Sequence, residues 1–386
     1  GVSYDVIAQR YIEEFWKDAK GLGVREATIH PKATENMEEI LSLIGGLVEK
    51  GYAYRAANGD VYFRTRKDEH YGKLSHQPID DLESGARIGI GEEKEDALDF
   101  ALWKAAKPGE PSWPSPWGEG RPGWHIECSA MARRYLGETI DIHCGGQDLI
   151  FPHHENEVAQ SECCNGVPFA RYWMHNGYIN VDNKKMSKSL GNFFTVRDIA
   201  EKYDLQVLRF FMLSAHYRSP INFSAELMEA SKNGLERILT AVDRLKELDA
   251  KAEGAAETCA EQEKMVEVQK LREKFEAAME DDFNTADAVS AIFELVKLAN
   301  STADASSTKS YVSCLLKEIE QLCDVLGIIT ERKTEVLDSE IEEMIAARQQ
   351  ARKDRNFALA DEIRGKLLDM GIVLEDTREG VKWKRA

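Results

Sequence analysis

The predicted secondary structure changes near residue 195, from strands that alternate with helices to helices alone. This change constrains the fold more than any other feature of the sequence. Before it, short apolar segments at 139–143 and 172–175 are typical of strands, and a helix is predicted between them from about Pro152. Strands that alternate with helices favour a parallel sheet with helices packed on its faces. The predicted class is therefore α/β, with a Rossmann-like doubly wound sheet.

Further elements are predicted upstream of this alternation. Apolar residues at helical spacing indicate helices over 2–19 and over about 34–50, the second ended by Gly51. Alternating aromatic and β-branched residues flank Asn58-Gly59, which is typical of a hairpin turn. The segment 67–95 is polar, and we interpret it as a surface excursion before a short strand that starts at Phe100.

From Thr195 onward the pattern predicts a helix bundle followed by a small α+β module. The bundle helices are expected at 205–215, 224–248, 262–280, 285–300 and 308–326. The last module begins near Val336 with one or two helices and ends in the basic strand 381–385. We therefore expect three regions, bounded at 1–194, 195–330 and 331–386.

Composition excludes some classes of protein. The net charge of −18 argues against general coating of nucleic acid, and no apolar run reaches the length of a membrane span. From Ala346 to Ala386, however, ten Lys and Arg residues stand against seven Asp and Glu residues, so this end is locally basic. The seven cysteines lack regular spacing, which favours a reducing compartment, and we expect the cytoplasm.

A lysine-rich segment follows a predicted strand and turn at 177–183, before a helix that starts near Thr195. Its residues are Lys185, Met186, Ser187, Lys188 and Ser189. Two ammonium groups on a mobile loop can stabilise charge on a polyphosphate. Taken alone, the lysines fit a solvated basic turn better.

A second candidate site combines residues that zinc prefers. His153 and Glu157 are four apart on one predicted helix, so they share a face, and Cys128 lies near the start of another helix. A buried cysteine and a surface His–Glu pair would explain the same residues without a metal. Neighbouring His154, Cys144 and His143 leave the choice of ligands open.

The lysine segment resembles the KMSKS signature of class I aminoacyl-tRNA synthetases. Longer motifs at 110–118, 123–131, 151–157 and 282–285 are similar to those of the cysteinyl-tRNA synthetases, and the similarity runs along essentially the whole chain. The resemblance implies ligation of cysteine to its tRNA through a cysteinyl-adenylate, with ATP and Mg²⁺. It also implies an anticodon-binding role for the basic end, where Trp383 would stack on an unpaired base. We expect a monomer.

The resemblance also implies roles for individual residues. One zinc ion would be held by Cys128, His153 and Glu157, with a further family cysteine expected before Gly1. Trp124 would lie near the substrate side chain, and Asp148 would hold the substrate ammonium group or the ribose. ATP would contact the lysine segment, namely Lys185, Ser187, Lys188 and Ser189, with Lys188 as the principal catalytic group and Lys185 assisting.

The family's HIGH-type ATP-binding element has no counterpart in this sequence, and Gly1 is not an initiator methionine. We therefore expect an amino-terminal segment to be missing and this chain alone to be incomplete for catalysis. Two alternatives stay open. One is a cysteine ligase that acts on a sugar amine and would lack the region 330–386. The other is a non-catalytic relative that binds RNA or zinc.

Overall fold

A computed structural model describes most of the protein. The described residues are 2–79, 93–187, 191–253, 257–331, 337–354, 356–369, 372–377 and 380–385. The chain forms two compact units, one over residues 1–328 and a smaller one over residues 329–386. Among the described residues, no helix is both long enough and apolar enough to cross a membrane.

The amino-terminal part of the larger unit mixes helices with strands. Its elements are α1 (Tyr4–Gly21), α2 (Met37–Glu49), β1 (Ala53–Arg55), β2 (Val61–Phe63), β3 (Phe100–Ala105), β4 (Gly120–Pro122), α3 (Trp124–Leu136), β5 (Ile140–Gly146), α4 (Glu155–Asn165), β6 (Ala170–Asn176), β7 (Ile179–Val181) and β8 (Lys184–Lys185). The predicted hairpin is confirmed, because β1 and β2 are antiparallel and Gly59 adopts a positive φ of 92° in their turn.

Strands β5 and β6 pair in parallel, with Ile140 opposite Ala170, and α4 forms the connection between them. This strand–helix–strand unit confirms the predicted α/β class. The helix begins later than predicted, however. A wide turn over Ile150–His154 precedes it, and Phe151 is extended there (φ −135°, ψ 131°), so the regular α-helix starts at Glu155 and not at Pro152.

The polar segment after Lys67 lies mostly at the surface in its described part, as predicted, but it is also anchored to α4. The Glu155 carboxylate accepts backbone N–H bonds from Gly72 at 3.0 Å and from Ser75 at 2.6 Å. The Tyr71 hydroxyl donates to the Asn156 side chain at 2.6 Å. Buried polar groups of α4 therefore anchor this segment, while residues 80–92 lie outside the described residues.

The rest of the larger unit is mainly helical, as predicted. Its elements are α5 (Val196–Ala200), α6 (Leu205–Leu213), β9 (Ile221–Phe223), α7 (Ala225–Lys251), α8 (Cys259–Glu280), α9 (Thr285–Thr302) and α10 (Lys309–Val325). Side-chain caps define several starts: Ser224, Thr258, Asn284 and Thr308 each accept a hydrogen bond from the backbone of the first turn. One apolar core unites these helices.

The smaller unit contains α11 (Leu337–Lys353), α12 (Phe357–Asp369), β10 (Ile372–Thr377) and β11 (Gly380–Arg385), with the two strands antiparallel. The Trp383 side chain packs against a core that includes Ile341, Ile363 and Leu367. The ring is only partly buried within the unit, and its stacking on an unpaired base stays a prediction.

Candidate functional site

The candidate site lies where the parallel strands β5 and β6 end, at Gly146 and Asn176. Two glycines let side chains approach this edge closely. A Cβ atom on Gly145 would lie 2.6 Å from the His154 ring, and one on Gly146 would lie 2.4 Å from the Asp148 carboxylate. Ligands of such folds bind beyond the carboxyl ends of the strands, which is where these residues gather.

Glu157 is the centre of the site and is fully buried. Its Oε2 atom lies 2.9 Å from His143 Nε2, 3.5 Å from His153 Nε2 and 3.8 Å from His154 Nε2. Its other oxygen, Oε1, is buried and has no hydrogen-bond partner. A buried carboxylate oxygen without a partner is costly, and a bound cation would remove that cost.

Cys128, His153 and Glu157 come together because α3 packs against α4. Each offers one ligand atom, and these atoms lie within 4.8 Å of one another. Burial raises the pKa of the Cys128 thiol to about 12, and the Glu157 carboxylate adds to the shift. Without a cation the thiol stays protonated at neutral pH. Sulfur, imidazole nitrogen and carboxylate oxygen together fit zinc.

A second group of ligand atoms, from His143, His154 and Glu157, also lies within 4.8 Å. Because both groups use Glu157, they are overlapping parts of one site. Cys144, which the sequence left as an alternative ligand, is exposed on β5 and belongs to neither group.

Two histidines outside these groups support the site, and the sequence reasoning missed this role. His125 Nδ1 lies 2.8 Å from His153 Nδ1, and His175 Nε2 lies 2.8 Å from His154 Nδ1. Burial, reinforced by His153, lowers the pKa of His125 to about 4. Burial, with His143 and His175 adding to it, lowers the pKa of His154 to about 3. The imidazoles are therefore neutral and do not repel a cation.

The two predicted substrate contacts occupy different positions. Trp124 is the first residue of α3; its ring is 61% exposed and lies 4.5 Å from the His153 ring. Asp148 is exposed in a short turn after β5. Trp124 therefore flanks the buried cluster directly, whereas Asp148 lies at the strand edge.

Strands β7 and β8 form the hairpin that carries the lysine segment. Asp182 and Asn183 adopt positive φ angles of 47° and 61° at its turn. Lys185 is exposed, and Asn192 bridges the segment by donating to the Lys185 carbonyl at 3.1 Å and accepting from the Ser187 N–H at 2.9 Å. Lys188 and Ser189 lie outside the described residues.

Family models match three parts of the chain. The matches are to "tRNA synthetases class I (C) catalytic domain" over residues 1–233, to "DALR domain" over residues 274–330 and to "Cysteinyl-tRNA ligase anticodon binding domain" over residues 334–383.

Curated relatives are similar along the whole chain. The cysteine–tRNA ligase of Lachnospira eligens is 60% identical over 393 aligned residues, which cover 100% of this chain and 83% of that protein. The cysteine–tRNA ligase of Clostridioides difficile is 57% identical, with the same coverage of each chain. Among solved structures, methionyl-tRNA synthetase of Mycobacterium tuberculosis bound by methionyl-adenylate matches with a TM-score of 0.60 and 15% identity, covering 84% of this chain and 80% of that one. This last likeness concerns the fold alone.

Proposed function

Since this chain belongs to the cysteinyl-tRNA synthetases, a class I family that ligates cysteine to tRNA, we propose that Cys128, His153 and Glu157 hold a zinc ion that recognises the substrate thiol. One observation carries the proposal: the three residues bring ligand atoms within 4.8 Å of one another, and one oxygen of the buried Glu157 carboxylate has no hydrogen-bond partner. The sugar-amine ligase has no support, because the anticodon-binding family matches residues 334–383. A non-catalytic relative is likewise unsupported by the names of the curated relatives.

The need for a metal follows from the substrate. Cysteine and serine differ only by sulfur against oxygen, and an apolar pocket separates such close analogues by about 1–3 kcal/mol. When bound, zinc supplies a strong preference for a thiolate over a hydroxyl and lowers the pKa of the thiol that it contacts. No separate editing site is then required for serine.

The protein's own residues orient the ligands. His143 donates to Glu157 Oε2 at 2.9 Å, which directs that carboxylate and leaves Oε1 for the metal. His125 contacts His153 Nδ1 and thereby leaves His153 Nε2 facing Glu157. Trp124 covers His153 on the exposed side, and we assign it to the wall of the cysteine pocket.

Activation of cysteine requires ATP with Mg²⁺. The substrate carboxylate would attack the α-phosphate, forming the acyl–phosphate bond of cysteinyl-adenylate and releasing pyrophosphate. We assign Lys185 and Lys188 to stabilisation of the phosphate charge, and Ser187 and Ser189 to the same loop. Asp148, at the end of β5, is suited to the substrate ammonium group or the ribose.

Transfer to tRNA would use the helical and carboxyl-terminal parts of the chain. We propose a catalytic region at 1–194, a region that contacts the tRNA stem at 195–330, and an anticodon-binding module at 331–386. The terminal ribose hydroxyl of tRNA would take the cysteinyl group from the adenylate, with AMP as the leaving group. We propose that the enzyme acts as a monomer.

The test combines metal content with cysteine-dependent ATP–pyrophosphate exchange. In a form of the protein that also carries the family's HIGH-type ATP-binding element, we expect about one zinc per chain and exchange with cysteine but not with serine. Cys128→Ser should lose the metal and at least about a hundredfold of the exchange rate, since a thiolate ligand is replaced by a poor one. Cys144→Ser is the matched control, because Cys144 is exposed and outside the ligand groups. Zinc retained by Cys128→Ser would contradict the proposed ligand set.

A further inference from the structure

The turn between α8 and α9 has an unusual backbone. Asp282 and Phe283 adopt positive φ angles of 57° and 55°, a conformation that favours glycine. The turn closes the end of α8, since Phe283 N–H donates to the Met279 carbonyl at 3.1 Å and Asn284 N–H donates to the Ala278 carbonyl at 3.0 Å. Glycine is the usual residue at such helix ends, so a non-glycine side chain here requires another explanation.

The contacts of the Asp282 carboxylate explain why a residue other than glycine occupies this turn. Its Oδ1 atom accepts the Tyr217 hydroxyl at 2.7 Å, and its Oδ2 atom accepts from Arg218 Nε. His216 Nε2 lies 3.8 Å from the same oxygen. The hydrogen bonds from Arg218 and Tyr217 lower the pKa of Asp282, so the carboxylate is charged at neutral pH. One side chain of the helical region thus contacts three successive residues of the 216–220 loop.

The 216–220 loop in turn lies against the edge where the parallel strands end. The Tyr217 carbonyl accepts the Gly177 N–H at 2.7 Å, and the Arg218 carbonyl accepts Gln147 Nε2 at 3.1 Å. Gly177 follows β6, and Gln147 follows β5. A Cβ atom on Gly177 would lie 2.5 Å from the Ser219 backbone, so the two segments are in direct backbone contact.

The same loop leads into β9, which supports the lysine hairpin. Strand β9 pairs in parallel with β7, and the Ile221 N–H donates to the Tyr178 carbonyl at 2.9 Å. At the hairpin turn, the Asn222 side chain accepts the Asn183 N–H at 2.6 Å, and the Phe223 carbonyl accepts the Asp182 N–H at 3.2 Å. The hairpin therefore depends on the position of β9.

We infer that Asp282 is a positioning residue for the nucleotide side of the reaction. Its carboxylate holds the 216–220 loop, and this loop and β9 hold the β7–β8 hairpin from which Lys185 extends. The inference rests on the proposed role of the lysine segment with ATP. A purely local role, closing α8, would not need the carboxylate, since glycine closes such a turn with less backbone strain.

Asp282→Gly separates the two roles, because it relieves the positive φ and removes only the carboxylate contacts. Hydrogen exchange should become at least fivefold faster at the Asp182 and Asn183 amides, with α8 and α9 unchanged. In ATP–pyrophosphate exchange, the KM for ATP should rise about five- to tenfold, while the KM for cysteine and the zinc content stay the same. Phe283→Gly is the matched control, since it relieves the same kind of strain beside an intact carboxylate, and it should resemble the wild type.

Two results would overturn the inference. In the first, Asp282→Gly has the same hydrogen-exchange rates at the hairpin amides and the same KM for ATP as the wild type. In the second, Phe283→Gly changes these quantities as much as Asp282→Gly does. The hydrogen-exchange arm needs no catalytic turnover. If a form that carries the HIGH-type element shows no cysteine-dependent ATP–pyrophosphate exchange, the proposed function fails. Faster hydrogen exchange at the hairpin amides of Asp282→Gly would still support the positioning contact.

Discussion

Helices α4 and α9 are both buried, but they bury opposite kinds of side chain. The buried residues of α9 are all apolar: Ala288, Val289, Ala291, Ile292, Leu295, Val296, Leu298 and Ala299. Those of α4 are mainly polar: Glu155, Asn156, Glu157, Val158, Ala159, Gln160, Ser161 and Cys164. Burial of apolar groups stabilises a fold directly, whereas a buried polar group needs a partner.

The partners of α4 show what its polar face is for. Glu155 and Asn156 have protein partners in the 71–75 segment, but Glu157 Oε1, Gln160 Oε1 and Ser161 Oγ have none. In α9, whose residues are all described, no buried side-chain nitrogen or oxygen atom lacks a hydrogen-bond partner. The burial of α9 therefore stabilises the helical core, whereas the unpartnered polar groups of α4 lie at the site for which we propose zinc.

The largest stability effect is expected in α9. Leu295 is fully buried, so Leu295→Ala should lower the free energy of unfolding by about 2–5 kcal/mol through lost burial and a cavity. Zinc content per folded molecule should not change. Denaturant unfolding monitored on the larger unit measures the loss. Val266→Ala in α8, at a side chain that is 58% exposed, is the control and should change stability by less than about 0.5 kcal/mol.

Glu157→Gln should, by contrast, change the zinc content. The substitution keeps the shape and removes the charge that faces the metal, so zinc should be lost. The melting temperature of the wild type should fall when zinc is chelated. The stability lost should be about 3–4 kcal/mol where free zinc had been 100–1,000 times its Kd. The variant's melting temperature should not respond to chelator. If chelator lowered the melting temperature of both proteins equally, the metal would be bound elsewhere. The contrast between α4 and α9 would then not hold.

His143 tests whether the surroundings of Glu157 matter. His143→Phe removes the donor to Glu157 Oε2 but keeps an aromatic ring, and zinc affinity should fall about 10- to 100-fold. Competition with a chromophoric chelator gives the affinity. His70→Gln serves as the control, because His70 is exposed and outside the ligand groups. Unchanged affinity in His143→Phe would show that Glu157 is oriented without it.

The smallest effect should come from Glu155, whose role is structural although it lies beside the metal group. Glu155→Gln weakens charge-assisted bonds from Gly72 and Ser75, so stability should fall by about 1–2 kcal/mol. Hydrogen exchange should quicken at residues 72–75, with zinc content unchanged. Loss of zinc in this variant would mean that the polar face of α4 acts as a single unit.

Local patterns predicted most of the architecture. The Asn58-Gly59 hairpin, the parallel strands around α4 and the bundle helices follow from turn chemistry and from apolar spacing, which depend on residues close in sequence. His153 and Glu157 were paired for the same reason, since four residues apart on a helix is a local relation. Cys128 was grouped with them by its ligand chemistry and then by the family resemblance, because the packing of α3 on α4 is not a local property.

The order and type of the elements, and the kinds of ligand atoms available, can be predicted from the amino-acid sequence. The packing of the elements is what brings His125 and His175 to the site, Glu155 to Gly72 and Ser75, and Asp282 to Tyr217. Periodicity is an average over neighbours along the chain. A hydrogen bond between residues 65 positions apart depends instead on how whole elements pack.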